Sequence, residues 1–341
     1  MNERASAKKR IARIGQFLVT GLLLFLLFRK VDFRAVIQIL GQVNYGYFLI
    51  SIAVVLLFDG FYALRWKYLL AHHHLRYSLP KLVKYNLIAR FFQTILPSSV
   101  GGDVVRALLS FRKGQRIRIT ASILFARLLG LAVLTGFVVI DLIVLHRSLK
   151  LGEHVAPYVL PVGAILLSAG ALMLVFRRLW IRPLAALGKK PRMKRALADF
   201  AVYFKDKRFF ALILLLTCAI QLLSIASYYF SFKILHLEIS FVQCLLYVPI
   251  ITLACFLPIS FNGQGLREGL IYFFYRDYIA REELFVLFIV QFLLTMVRVI
   301  PGGFLFLFFR RKDESLSLLD EGGADSDRIP GDEVAHDDSA S

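Results

Sequence analysis

The sequence predicts an all-α, polytopic integral membrane protein: about six full spans plus two broken, re-entrant helix pairs in an inverted repeat. Three observations predict it. Of the 341 residues, 58% are hydrophobic, more apolar surface than a soluble domain of this size hides. No strand-like alternation of about ten residues recurs, which argues against an outer-membrane barrel. Two stretches 161 positions apart are nearly the same: LPSSVGGDVVRALL over 96–109 and LPISFNGQGLREGL over 257–270. Both lie in apolar surroundings, where a Pro/Gly break followed by an Arg is costly and therefore informative.

The three cysteines (Cys218, Cys244, Cys255) form no CxxC pair, so neither a disulfide framework nor a zinc site is indicated. The net charge is +19, but residues 313–341 hold ten acidic side chains and one Arg. The rest of the chain is therefore strongly basic. Its basic residues flank apolar runs, which points to the positive-inside rule and attraction to anionic lipid rather than to nucleic acid.

Along the chain, the basic start (Arg4, Lys8, Lys9, Arg10) and the apolar run to Phe28 resemble a signal peptide. No small-x-small cleavage site follows, so this is read as an uncleaved first span, 14–28. Residues 31–43 suit an amphipathic surface helix and 45–64 a second span. A basic segment, 65–85, contains His72, His73 and His74. Consecutive residues cannot converge on one ion, and no acidic or Cys partners cluster nearby, so this run is expected to be solvated or head-group-facing rather than metal-binding.

Residues 82–96 form an apolar helix stopped by Pro97, and 102–111 a second short one. Arg112, Lys113, Arg116 and Arg118 mark a cytoplasmic turn. Spans are expected at 119–145 and 157–176. Residues 177–208 carry eleven Lys or Arg against two Asp, the strongest cytoplasmic marker in the chain. A span at 209–235, a short apolar helix at 241–257, another at 265–275 and a last span at 284–309 follow. Both termini are then cytoplasmic in a cell (inner or plasma) membrane. Lys81, Lys84, Arg112 and Lys113 place the first broken pair at the cytoplasmic face. The charge-balanced loops around the second place it outside, although Arg29, Lys30 and Arg34 on the outer side run against the rule. Residues 1–312 form one transmembrane domain, with half-repeats at roughly 82–145 and 241–309. The Ser-, Asp- and Gly-rich tail 313–341 is expected to be a solvated, disordered cytoplasmic segment.

The repeated motif has a chemistry. A helix that starts within the membrane exposes unpaired N–H groups and the positive end of its dipole, an arrangement suited to phosphate. In the first copy Ser98 or Ser99 can cap or donate, Gly101 and Gly102 open the turn, and Arg106 follows nine residues after Pro97. In the second, Ser260 or Asn262 takes the capping role, Gly263 and Gly265 open the turn, and Arg267 stands nine residues after Pro258. The alternative for either copy alone is a structural break whose Arg pairs with nearby carbonyls. Asp103 can pair with Arg106 at i, i+3, whereas Glu268 points away from Arg267. Asn86, Arg90 and Gln93 share one helix face, and Gln291, Thr295 and Arg298 repeat that spacing. These, with Arg127, are expected to face the protein interior as substrate contacts or as interhelical glue. Asp59, Asp103, Asp141 or Glu268 could carry a coupling proton; Asp103 could equally be a plain helix N-terminal acid. No Walker A, HExxH or GxSxG signature is present, no cofactor is implied and no enzymatic activity is expected.

At these residues the chain resembles the flippase-like transmembrane domain of lysylphosphatidylglycerol synthases, in its stand-alone form. The likeness is carried by 86–106 with Leu96-Pro97 and Gly101-Gly102-Asp103, by Ala126-Arg127-Leu128-Leu129-Gly130, and by 258–269 with Gly265-Leu266-Arg267-Glu268-Gly269. It covers roughly residues 10–310. The resemblance implies movement of a phospholipid or polyprenyl-linked lipid between leaflets. This chain lacks the large transferase domain of the bifunctional members, so synthase activity is not expected. The expected partner is an anionic or phosphate-bearing lipid. A homo-oligomer, or a lipid-modifying enzyme served by a non-transporting partner, is the alternative association. A membrane-embedded enzyme acting on lipid phosphate ranks below both.

Overall fold

The computed structural model describes residues 18–29, 31–95, 101–111, 115–148, 199–200, 202–256, 260 and 263–309, the side chains of 141–148 and 309 excepted. The expected span at 157–176, most of the basic segment 177–208 and the acidic tail lie outside these residues. Among the described residues every regular element is helical. They are α1 (Leu18–Phe28), α2 (Phe33–Gly41), α3 (Tyr45–His72), α4 (Leu79–Ile95), α5 (Gly101–Ser110), α6 (Arg116–Ser148), α7 (Lys207–Ile234), α8 (Phe241–Ala254), α9 (Leu266–Tyr275) and α10 (Arg281–Phe309). Among the described residues, four helices are long and apolar enough to cross a bilayer: α3, α6, α7 and α10.

The starts of these helices follow local chemistry. Asp32 caps α2 through the Arg34 N–H, Asn44 caps α3 through the Tyr47 N–H, and Asp206 caps α7. Ser240 and Gln243 form a reciprocal capping box at α8. Each satisfies N–H groups that no preceding turn can. The helix α3 runs eight residues further than the expected 45–64 span. This carries Arg65 and Trp66, expected in a basic segment beyond the span, into the buried interior. The cause is tertiary: Leu69 and Leu70 are fully buried, so packing continues the helix through a basic stretch.

Among the described residues the helix order repeats. Long α3, short pair α4–α5 and long α6 are followed by long α7, short pair α8–α9 and long α10. The ends of α3 and α7 also match. Each closes with a histidine at positive φ, His74 at 62° and His236 at 58°. In each case the next N–H bonds back across the last turn, Leu75 to Leu70 and Leu237 to Phe232, the Schellman arrangement that usually selects Gly. In both short pairs a tyrosine ties the outer ends together. The Tyr77 hydroxyl, just before α4, donates to the Ser110 carbonyl at the end of α5 at 2.6 Å. The Tyr275 hydroxyl at the end of α9 donates to the Gln243 carbonyl at the start of α8 at 3.2 Å. Each pair is thus a hairpin whose closed end is the Pro/Gly break.

Three apolar clusters hold the chain. One joins α3, α4, α5 and the start of α6 around Trp66, Leu82 and Ile88. A larger one joins α6 to α10 around Phe232, Tyr247 and Tyr275. The third packs Leu69, Phe125 and Tyr203 with α7. Helix α10 from the second half lies along α4 of the first. Gly302 permits this close approach, since a Cβ there would overlap the Leu87 carbonyl. Small residues at such crossings are the usual means by which helices pack tightly in lipid.

Candidate functional site

At the first break, α4 ends at Ile95 and α5 begins at Gly101. Pro97, Ser98 and Ser99 lie outside the described residues. Gly101 and Gly102 are buried at the start of α5. Gly102 sits against α4, where a Cβ would come within 2.9 Å of the Ala89 carbonyl oxygen. Asp103 in the first turn takes Arg106 on Oδ1 at 2.9 Å and Arg127 of α6 on Oδ2 at 2.7 Å. The spacing that suggested an Asp103–Arg106 pair is realised, and α6 adds a second arginine to it.

Arg106 is buried, at 3% exposure of its side chain. Its guanidinium lies over the rings of Tyr62 at 5.0 Å and Trp66 at 4.7 Å. Tyr62 also receives Arg65 at 5.1 Å and Arg90 at 5.8 Å. One aromatic ring therefore stands among three guanidiniums, and its quadrupole offsets part of their mutual repulsion. Arg65 donates to the Thr217 hydroxyl of α7 at 3.2 Å.

A second carboxylate organises the neighbouring layer. Asp59 Oδ1 accepts from Arg90 of α4 at 3.0 Å and faces Arg298 of α10 at 3.9 Å. Further along α10, Gln291 donates to the Ser231 hydroxyl of α7 at 3.0 Å, and the Thr295 hydroxyl donates to the Gln291 carbonyl. On the polar face of α10, Gln291 and Arg298 thus reach other helices, whereas Thr295 bonds within α10.

A cavity of about 260 Å³ is lined by residues from α3 to α8; Arg90 lines it, whereas Asp59 and Arg298 do not. Asn86, Arg90 and Gln93, expected to share a face, all line it, together with Gly102, Asp103, Arg106 and Arg127. Arg65 and Tyr62 line it too. The expected second span ends at Leu64, which places Arg65 in a basic segment. The signal for this cluster was the helical spacing Asp59, Tyr62, Trp66 (i, i+3, i+7), which continues one face of α3 past Leu64. From the second half come Thr217, Gln221 and Ser224 of α7, with Thr252 and Phe256 at the second break.

At that second break, α8 ends at Ala254 and α9 starts at Leu266. Pro258 and Asn262 lie outside the described residues. Ser260 is buried, and its hydroxyl has no partner among the described residues. Gly263 and Gly265 have φ of 78° and 79°, the left-handed region where a side chain is strained. At Gly265 a Cβ would also meet Leu23 of α1 at 3.0 Å. Glu268 is buried and accepts the Gly265 N–H at 2.6 Å, so its carboxylate closes the start of α9. Arg267 is half-buried, within hydrogen-bonding reach of the Cys255 side chain and close to Tyr228. Gly263, Gly265, Arg267 and Glu268 do not line the cavity. Among the described residues no group of three metal-ligating side chains converges.

Long apolar helices, two broken hairpins and an arginine-lined cavity between them define a multi-pass helical membrane protein. The chain belongs to the family described as the lysylphosphatidylglycerol synthase TM region, whose model matches residues 13–303. Membership connects it with lipid metabolism or transport. A comparison with curated proteins found no match.

Proposed function

We propose that this protein moves a phosphate-bearing lipid, a phospholipid or polyprenyl-linked lipid, between the leaflets of a cell membrane. The observation that carries this reading is the cavity at the first break, where Arg65, Arg90, Arg106 and Arg127 converge inside a bundle of apolar helices. A cation in hydrocarbon costs about 2.5–3.5 kcal/mol or more, and several together are retained where an anion is to be met. The start of α5 adds backbone N–H groups and the positive end of its dipole. At about 260 Å³ the cavity is smaller than the roughly 300–1,000 Å³ of whole-ligand pockets. It suits a head group whose acyl or prenyl chains stay in lipid.

In this reading the two hairpins are re-entrant and inverted, the first entering from the cytoplasm and the second from outside, with both termini cytoplasmic. The shared helix order of the halves and their tyrosine-tied hairpins support it, as do the flanking charges. Arg106 holds the phosphate at the first break, and Arg267 receives it at the second. Ser98, Ser99 and Asn262 add donors at the breaks. The role is transport, with no chemical change to the lipid.

The test is head-group translocation in proteoliposomes. Arg106→Gln and Arg267→Gln should each cut the rate at least tenfold, while each variant still purifies as a folded protein. Wild-type flipping by both variants would sink the proposal.

A further inference from the structure

The charge around the cavity is unbalanced. Among the described residues four guanidiniums (Arg65, Arg90, Arg106 and Arg127) and one carboxylate (Asp103) line the cavity, and a further oppositely charged couple, Asp59 and Arg298, adjoins Arg90 without lining it. Each carboxylate is already shared: Asp103 between Arg106 and Arg127, Asp59 between Arg90 and Arg298. Arg65 has the neutral Thr217 hydroxyl as its hydrogen-bond acceptor. An excess of three positive charges remains in a setting where each desolvated charge is costly. A ligand with one negative charge leaves most of that excess in place. One with two or more removes most of it.

A second observation is independent of charge. Asn86 lines the cavity and is 4% exposed. Neither its amide nitrogen nor its amide oxygen has a hydrogen-bond partner among the described residues. A buried amide without partners costs free energy. Asn86 presents a donor and an acceptor side by side, which fits a phosphate group bearing both an ionised oxygen and a P–OH.

We infer that the cavity selects a lipid whose head group ends in a phosphomonoester or pyrophosphate, with Asn86 reading its terminal phosphate. A phosphomonoester offers either two charges without a P–OH or one charge with a P–OH, averaging about −1.5 to −2 near neutrality; a pyrophosphate monoester can hold two charges and a terminal P–OH together, whereas a phosphodiester carries a single charge and no P–OH. This inference rests on the transport reading only in taking the ligand to be a lipid.

The experiment is ligand titration of the full-length protein in detergent micelles, read by native mass spectrometry and thermal shift. Phosphatidate should bind at least tenfold tighter than phosphatidylglycerol, and a cationic aminoacyl phosphatidylglycerol should bind more weakly still. Equal affinity for phosphatidate and phosphatidylglycerol would overturn the charge argument. Inorganic phosphate binding as tightly as phosphatidate would overturn the assignment to a lipid. Asn86→Leu keeps the side-chain shape and loses no hydrogen bond within the protein. It should weaken phosphatidate binding about tenfold without lowering the melting temperature, and unchanged affinity would remove Asn86 from the site. Arg65→Gln should narrow the preference for phosphatidate over phosphatidylglycerol, and an unchanged preference would count against the charge argument. Transport is scored separately. Loss of flipping with the preference intact would remove the transport reading alone, and flipping of phosphatidylglycerol without the preference would remove this inference alone.

Discussion

Asp59 of α3 holds Arg90 of α4 at 3.0 Å. The same oxygen faces Arg298 of α10 at 3.9 Å, so one carboxylate joins three helices, two from the first half and one from the second. The carboxylate is 5% exposed and Arg90 26%, so the pair is screened on one side only. Asp59→Asn should lower stability by about 2–3 kcal/mol, below the roughly 3–5 kcal/mol of a fully buried pair. Thermal unfolding in detergent measures it. Adding Arg90→Gln should recover part of the loss, because the repulsion between Arg90 and Arg298 goes with it.

The α4–α10 crossing depends on the absence of a side chain at Gly302. Gly302→Ala places a methyl group in the Leu87 carbonyl, and backbone cannot rotate out of the way. The expected result is a loss of at least about 3 kcal/mol or a failure to fold, beyond ordinary overpacking at about 1–3 kcal/mol. Gly269→Ala is the control, since nothing lies within 4 Å of a Cβ there. Size-exclusion profiles and melting temperatures of the two variants separate the cases.

Glu268 accepts the Gly265 N–H and so fastens the start of α9. Glu268→Ala should cost about 1 kcal/mol, in the range of a lost helix cap. If instead Glu268 contacts the head group directly, the variant would alter lipid affinity while leaving the melting temperature unchanged.

His73 follows the last turn of α3, outside the spans, with its ring edge-on to Tyr203 at 4.9 Å. Burial holds its imidazole below the ordinary histidine value, with repulsion from Arg118 adding to the effect and Asp199 opposing it. The folded state therefore favours neutral His73, and the unfolded chain binds the extra proton first. Stability should be fully present above about pH 6.5 and fall as pH drops from there toward the lower folded value. His73→Phe should flatten the melting temperature between pH 7 and pH 5, and a slope unchanged by the substitution would remove this role.

Much of the helix order was legible before any tertiary contact was known. Pro97 and Pro258 announced two breaks, and α4, α5, α8, α9 and α10 begin or end within a few residues of the expected positions. The Asn86, Arg90, Gln93 face was legible too, because helical spacing alone brings residues i, i+4 and i+7 together. The Asp103–Arg106 pair followed for the same reason. Arg65 was not legible as an interior residue. Its neighbours Lys67, His72, His73 and His74 read as a basic segment beyond the span, and the helix continues to His72 with Leu69 and Leu70 fully buried.

By itself the amino-acid sequence determined what local rules can determine: a membrane protein, its helix breaks, and two copies of a Pro/Gly/Arg motif with matched spacing. It could not say which charges meet across helices, because such pairs depend on packing between residues far apart in the chain. Tertiary structure decided that Asp103 is shared by Arg106 and Arg127, that Asp59 ties α4 to α10, and that Tyr62 stands among three guanidiniums. It also decided the asymmetry of the two copies. Arg106 enters the cavity because α5 packs face to face on α4 through Gly102. Arg267 does not line it, and at the second break Gly263 lies against Cys255 and Gly265 against Leu23 of α1.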